Sequence, residues 1–184
     1  MHPVSTLDDA PERLVARCVA GEPAAWRALH RQYYATTLQV LSRLGVPAHQ
    51  LEDASQEVFL DVYRYLPRFR GEADVRTWVY RICVGHARTL RKRARFAALF
   101  AAVWAPFTER TDEVQIEESL AARQLARALE RLTEAQRSVF VLFELQGLSG
   151  QEIAGIIDRP ESTVFRRLHD ARARFVQAVE EGAL

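Results

Sequence analysis

The sequence predicts an all-α protein made of two small helical domains joined by a flexible linker. Apolar residues recur at helical spacing along nearly the whole chain, and no run alternates apolar with polar for long enough to build a sheet. A third observation divides the helices. The stretch "APFTERTDEVQIEES" is acidic, polar and turn-prone, as a linker between modules should be. The expected boundaries are residues 8–95 for the first domain, 96–118 for the linker and 119–182 for the second. With 184 residues, 48% of them hydrophobic, the chain can fill one sizeable core or two small ones.

Each element carries its own punctuation. Leu14, Val15, Cys18 and Val19 mark a first helix that stops at Gly21, and Pro23 suits the first turn of a second helix with Trp26, Leu29, Tyr33, Leu41 and Leu44. "LGVPAHQ" breaks that helix. A third is expected from about Leu51 to Leu66, ended by Pro67, and "RFRGEAD" forms a loop before a fourth, from about Asp74 to Arg95. In the second domain Leu125, Leu129 and Leu132 stand at i, i+4 and i+7. Thr133 with Gln136 has the capping-box spacing that opens a helix through Val139, Leu142 and Phe143, with Gly147 as its stop. Ser149 with Glu152 is a second capping box, starting a short helix with Ile153, Ala154 and Ile157. After the turn "DRPE", a last helix aligns Val164, Leu168, Ala171, Phe175 and Val179 on one face. Helix, short turn, helix is the arrangement whose second helix enters the DNA major groove, although an ordinary αα-hairpin gives the same pattern.

Charge is distributed unevenly. The totals, 25 basic against 24 acidic residues, argue against a simple polycation, but residues 64–95 hold 10 basic and only 2 acidic side chains. Lys92 is the sole lysine, and arginine suits bidentate contact with phosphates and base edges. Within this block "RTWVYRICVGHARTLRKRAR" interleaves Arg76, Arg81, Arg88, Arg91, Arg93 and Arg95 with Trp78 and Tyr80, after Phe69 and Arg70 in the loop. Arginines beside aromatics form a recipe for holding single-stranded nucleic acid; the bland alternative is a core Trp78 and a solvated arginine face. The third helix is opposite in character. Glu52, Asp53, Gln56 and Glu57 share one face, with Asp61 one turn on, and Val58, Val62 and Leu66 cover the other. Such a face repels phosphates and fits a basic protein surface, or else serves as a solubilising face.

Several classes are disfavoured. No GxxxxGK[ST], GxGxxG or GxSxG occurs, the five histidines (His2, His30, His49, His86 and His169) have no ligand spacing, and no enzyme, metal or cofactor is expected. Cys18 and Cys83 read as buried free thiols rather than a redox pair. The N-terminus lacks a signal peptide pattern. The longest apolar run, Phe96 to Phe107, reaches only ~18 Å as a helix against a ~30 Å bilayer core, so a cytoplasmic protein without membrane insertion is expected. That run is expected to pack on a partner or a module, or to continue the fourth helix.

"EDASQEVFLDVYRYLPRFRGEADVRTWVYRI" and "LTEAQRSVFVLFELQGLSGQEIAGIIDRPESTVFRRLHDAR" closely resemble regions 2 and 4 of the extracytoplasmic-function (ECF) group of sigma-70 family sigma factors. The resemblance implies a subunit that binds core RNA polymerase and directs promoter-specific initiation. A stand-alone helix-turn-helix regulator of duplex operators is the alternative. By the resemblance, Glu52, Asp53, Gln56 and Glu57 dock on the β′ clamp helices, and the second domain meets the β flap. Phe69, Arg76, Trp78, Tyr80, Arg81, His86 and Arg88 surround the −10 strand. Ser162, Thr163, Phe165, Arg166, Arg167, His169 and Arg172 read the −35 element. Promoter DNA and an anti-sigma factor are the further implied partners. If the two elements lie roughly 17 base pairs apart they are ~58 Å distant, which about twenty extended linker residues can span.

The chain departs from the family at three places. Relatives usually have asparagine three residues after "RI", where this chain has Gly85 followed by His86. Relatives often carry basic residues where this chain has Phe165 and Asp170. Phe165 suits a thymine methyl, and an i, i+4 salt bridge from Asp170 to Arg166 or Arg174 is expected.

Overall fold

The computed structural model describes the backbone of residues 11–69, 71, 74–104 and 120–182. Among these residues all regular structure is helical. Helices α1 (Pro11–Val19), α2 (Pro23–Arg43), α3 (Leu51–Tyr65) and α4 (Val75–Trp104) form the first module. Helices α5 (Leu120–Glu130), α6 (Glu134–Phe140), α7 (Gly150–Ile157) and α8 (Glu161–Gly182) form the second.

The first core grows from one stripe on each helix: Leu14 and Cys18 of α1, Leu29, Val40 and Leu41 of α2, Val58 and Val62 of α3, and Val79 and Cys83 of α4 are all buried. Burying a side chain of this size is worth about 1.5–3 kcal/mol, so this stripe drives the packing of the four helices. Pro23 sits in the first turn of α2, where its missing N–H costs nothing. Both cysteines are free and buried, and burial pushes the Cys83 thiol up to about 12, leaving no reactive thiolate.

The second core uses Leu129, Leu132, Val139, Leu142, Ile153, Val164, Leu168 and Ala171. Both capping boxes form. The Thr133 side chain accepts from the Gln136 N–H and that of Ser149 from the Glu152 N–H, while Gln136 and Glu152 reach back to the cap N–H groups. A π-helical turn, Val141–Leu145, continues α6, and Asp158 ends α7 in the left-handed region at φ 53°. Phe140 and Phe175 stack with ring centroids 4.6 Å apart, fixing α6 on α8.

Helix α4 runs on from Arg95 to Trp104, into the stretch read from the sequence as the start of the linker. The four alanines and the leucine of 96–104 favour continuing a helix over the extended form a spanning linker needs. The remaining linker residues, 105–119, lie outside the described ones.

The two modules touch. Helix α7 packs on α4. Thr77 donates to Glu152 at 2.9 Å and Tyr80 to Gln146 at 2.8 Å. Nearby, Arg137 of α6 is 5% exposed, donates through Nε to the Leu129 carbonyl at 2.7 Å, and lays its guanidinium against Gly45. Gly45 has φ +89°, and a Cβ there would collide with that guanidinium. Burial, with Arg91 close by, lowers the Arg137 pKa to about 10, so it stays charged at neutral pH.

Candidate polymerase and promoter interfaces

Helix α3 turns Ala54, Ser55, Val58 and Val62 inward, which leaves Glu52, Asp53, Gln56 and Glu57 all exposed on the outer face. The row does not end there. Leu60 and Tyr63, at i+4 and i+7 from Gln56, are 55% and 62% exposed, so the acidic face continues into an apolar one. Tyr63 rests against Trp26 of α2 at 4.7 Å between centroids. Neither is marked out in the sequence, because an apolar residue on an amphipathic helix fits the core as well as a surface patch.

The −10 candidates divide into four groups. Phe69 and Trp78 are half-buried and pack together at 5.3 Å. Tyr80, expected beside the strand, is 2% exposed, because its ring is core and its hydroxyl is held by Gln146 of the second module. Arg76, Arg81 and Arg88 are exposed. Arg81 and Arg88 nevertheless face a cleft of about 420 Å³ between the modules, with Glu134, Ser138, Asp158 and Arg167 opposite. Arg88 approaches Glu134 at 3.6 Å, a solvent-screened pair of small energetic weight. His86 lies on a different side of α4, toward α3, and its Nε2 is 2.9 Å from Asp61. Arg70 lies outside the described residues.

On α8, Val164, Leu168 and Ala171 are buried as the periodicity requires, and Ser162, Phe165, Arg166 and His169 are exposed, with Thr163 half-buried. Phe165 is 48% exposed and its ring also closes against Gly150 and the edge of Phe143, so it is partly a packing residue. Arg172 is engaged within the module. Its guanidinium reaches Glu144 at 2.6 Å and lies over the Phe143 ring, yet its side chain stays 54% exposed, in a solvent-screened pair of small energetic weight. Arg167 turns toward α4, as the lining of the 420 Å³ cleft shows. The salt bridge expected for Asp170 does not form: among the described residues Asp170 has no ion pair, and Arg174 donates instead to Gln136 at 3.3 Å.

Glu152 joins the two modules. One carboxylate oxygen accepts from the Ser149 N–H and hydroxyl, both at 2.8 Å, and the other from Thr77 at 2.9 Å. Those bonds, that of the Ser149 backbone first, hold the carboxyl below its ordinary range. No group of histidines, cysteines and carboxylates among the described residues has the arrangement of a metal site, and no described helix is long and apolar enough to cross a membrane.

The family description "Sigma-70 region 2" matches residues 29–96, and "Sigma-70, region 4" matches residues 122–175. The ECF RNA polymerase sigma-E factor of Escherichia coli K12 is 34% identical over 172 residues, covering 86% of this chain and 88% of the relative. The chain belongs to the ECF sigma factors. The RNA polymerase sigma-H factor of Pseudomonas aeruginosa PAO1 is 29% identical over 180 residues, covering 92% and 93%. Two solved structures share the fold. CnrH in complex with the cytosolic domain of CnrY has a TM-score of 0.71 and 24% identity, covering 94% of this chain and 99% of that one. The sigma factor RpoE with the anti-sigma factor NepR from Bartonella quintana has 0.69 and 17%, covering 84% and 96%. As a sigma factor the protein directs promoter-specific transcription; a stand-alone regulator would leave the acidic α3 and the first module without a task.

Proposed function

We propose that this sigma factor docks on the β′ clamp helices of core polymerase through Glu52, Asp53, Gln56 and Glu57, with Leu60 and Tyr63 extending the contact. The observation that carries the reading is the fully exposed acidic row on α3, set beside an arginine-rich helix of opposite sign. Phosphates are repelled by the first and attracted by the second, so polymerase and promoter are received on separate faces of one module. Phe69, Trp78, Arg76, Arg81 and Arg88 hold the −10 strand, and Ser162, Thr163, Phe165, Arg166 and His169 of α8 read the −35 duplex. The proposed division is 8–95, 96–118 and 119–182, with α4 projecting from the first domain as far as Trp104, and the second module meets the β flap. The protein works in the cytoplasm as a binding subunit without catalysis of its own. An anti-sigma factor is its regulator, as CnrY and NepR accompany the two solved relatives.

The closed arrangement gives this reading a step. Elements ~58 Å apart cannot both be read while the two modules lie within hydrogen-bond distance, 2.9 Å from Thr77 to Glu152. Polymerase binding therefore parts α4 from α7. Reversing charge with Asp53→Lys and Glu57→Lys is expected to abolish co-purification with core polymerase while leaving the helical circular-dichroism signal intact. Undiminished co-purification of the folded variant overturns the docking assignment.

A further inference from the structure

The cleft of about 420 Å³ between the modules gathers positive charge from both of them. Its α4 wall carries Arg81 and Arg88, at i and i+7 on one face of the helix. The opposite wall carries Arg159, from the turn after α7, and Arg167 of α8. Two carboxylates, Glu134 and Asp158, stand against these four guanidiniums. Glu134 is already shared with Arg88 at 3.6 Å, and among the described residues neither Arg81 nor Arg167 forms an ion pair. Arg159 donates to the Asp158 carbonyl at 2.8 Å, a neutral acceptor that leaves its charge uncompensated.

Like charges facing one another across a cleft oppose its closure, although solvent screens part of the repulsion. An anion seated between them is attracted by both walls at once. Guanidinium forks match phosphate oxygens two at a time, so a ligand that engages arginines on each wall needs two linked phosphoryl groups. The volume lies within the ~300–1,000 Å³ of small-ligand clefts. Val84, Ile156 and Ile157 add an apolar part to the lining, on which a base or a sugar can rest. Gly85, where relatives usually carry asparagine, leaves room beside them, because a Cβ built there meets nothing within 4 Å.

We propose that this cleft binds a small anion carrying a diphosphate group, either inorganic pyrophosphate or a nucleoside diphosphate, and that the bound anion holds the two modules together. Each module supplies only half of the site. The ligand therefore binds the closed form and draws the population toward it by mass action. While it is bound, Arg81 and Arg88 are withheld from the −10 strand and the modules resist the parting that polymerase requires. This braking effect rests on the function proposed above, whereas the binding itself does not.

The test is calorimetric titration of the full-length protein with inorganic pyrophosphate, adenosine diphosphate and inorganic phosphate. One-to-one binding of a diphosphate probe is expected, with inorganic phosphate weaker. Arg159→Ala is expected to weaken it about tenfold or more, the loss of one charge-assisted contact. Tighter binding of adenosine diphosphate than of pyrophosphate identifies a nucleoside diphosphate as the ligand, and equal binding identifies the inorganic ion. Arg159 is outside the residues assigned to polymerase and promoter, so Arg159→Ala should retain run-off transcription. Closure is read separately, in the rate of association with core polymerase: the diphosphate should slow the wild type and leave Arg159→Ala unaffected. No one-to-one binding of either diphosphate overturns the proposal, and so does binding that Arg159→Ala leaves unchanged. Binding that leaves the association rate unaltered overturns the brake. A wild type that does not associate with core polymerase at all overturns the function proposed above, while the titration still decides the site.

Discussion

The two helices proposed to carry the reading residues, α4 and α8, meet solvent in opposite ways. Helix α8 presents Arg166 and His169 outward, and nothing in the first module lies over them. Helix α4 has Thr77 and Tyr80 sealed under α7 and places Arg81 and Arg88 at the edge of the inter-module cleft. The proposed −35 reader is thus presented in the free chain, while the face proposed to hold the −10 strand is partly covered by the other module: Tyr80 is buried, and Arg76, Arg81 and Arg88 stay exposed. The contact joins apolar packing of α7 on α4 to two polar bonds, Thr77 to Glu152 and Tyr80 to Gln146, and encloses the charged guanidinium of Arg137 next to Arg91. Desolvation and the nearby Arg91 outweigh the attraction of Glu130 and Glu134 for this charge, so its burial is costly and the contact is one that a competing surface can open.

The largest effect is expected from preventing that opening. Asp74 and Gln151 are exposed on opposite sides of a gap of about 310 Å³ between the modules. Asp74→Cys with Gln151→Cys, joined by a short bis-maleimide, should abolish strand opening read by permanganate reactivity, while the unjoined variant transcribes. Cys18 and Cys83 are buried and will not compete for the reagent. Full activity of the joined protein would mean that the modules need not part.

A smaller effect is expected from Arg137→Ala. It removes the donor to the Leu129 carbonyl and the filling beside Gly45, and should cost about 2 kcal/mol in denaturant unfolding. No loss would mean that the buried charge was already cancelling the gain from its hydrogen bond.

The smallest concerns Glu152. Ser149→Ala removes the cap and should cost about 1 kcal/mol. Because the Glu152 carboxyl sits below its ordinary value in the folded protein, its contribution is present at neutral pH and fades as pH falls through that lowered value. The acid limb of the stability profile should therefore be shallower in Ser149→Ala than in the parent. Superimposable limbs would remove Glu152 from the account.

What could be read from the sequence was local. The boxes Thr133/Gln136 and Ser149/Glu152 were legible because the cap and its reply lie three residues apart. The acidic row on α3 was legible for the same reason, since a 3.6-residue period places it without knowing what the helix packs on. The interactions that define the sites were not. Asp61 and His86 are 25 residues apart, Tyr80 and Gln146 are 66 apart, and only the crossing of helices brings them together. Tyr80 looked like a stacking platform beside arginines, yet tertiary packing buries it. Asp170 failed differently: Arg174 stands at the right spacing for it but finds Gln136, a partner from another helix.

The central claim, a promoter-specificity subunit whose two reading faces come apart on polymerase, is tested most directly by distance. Donor and acceptor dyes on α4 and α8, placed at Lys92→Cys and Gln177→Cys, are to be followed by energy transfer in the free protein, with core polymerase, and with polymerase on a transcribed promoter. The account predicts high transfer in the free chain and a drop on polymerase binding that persists on the promoter, together with run-off transcript. Transfer that stays high while transcript is made would contradict it.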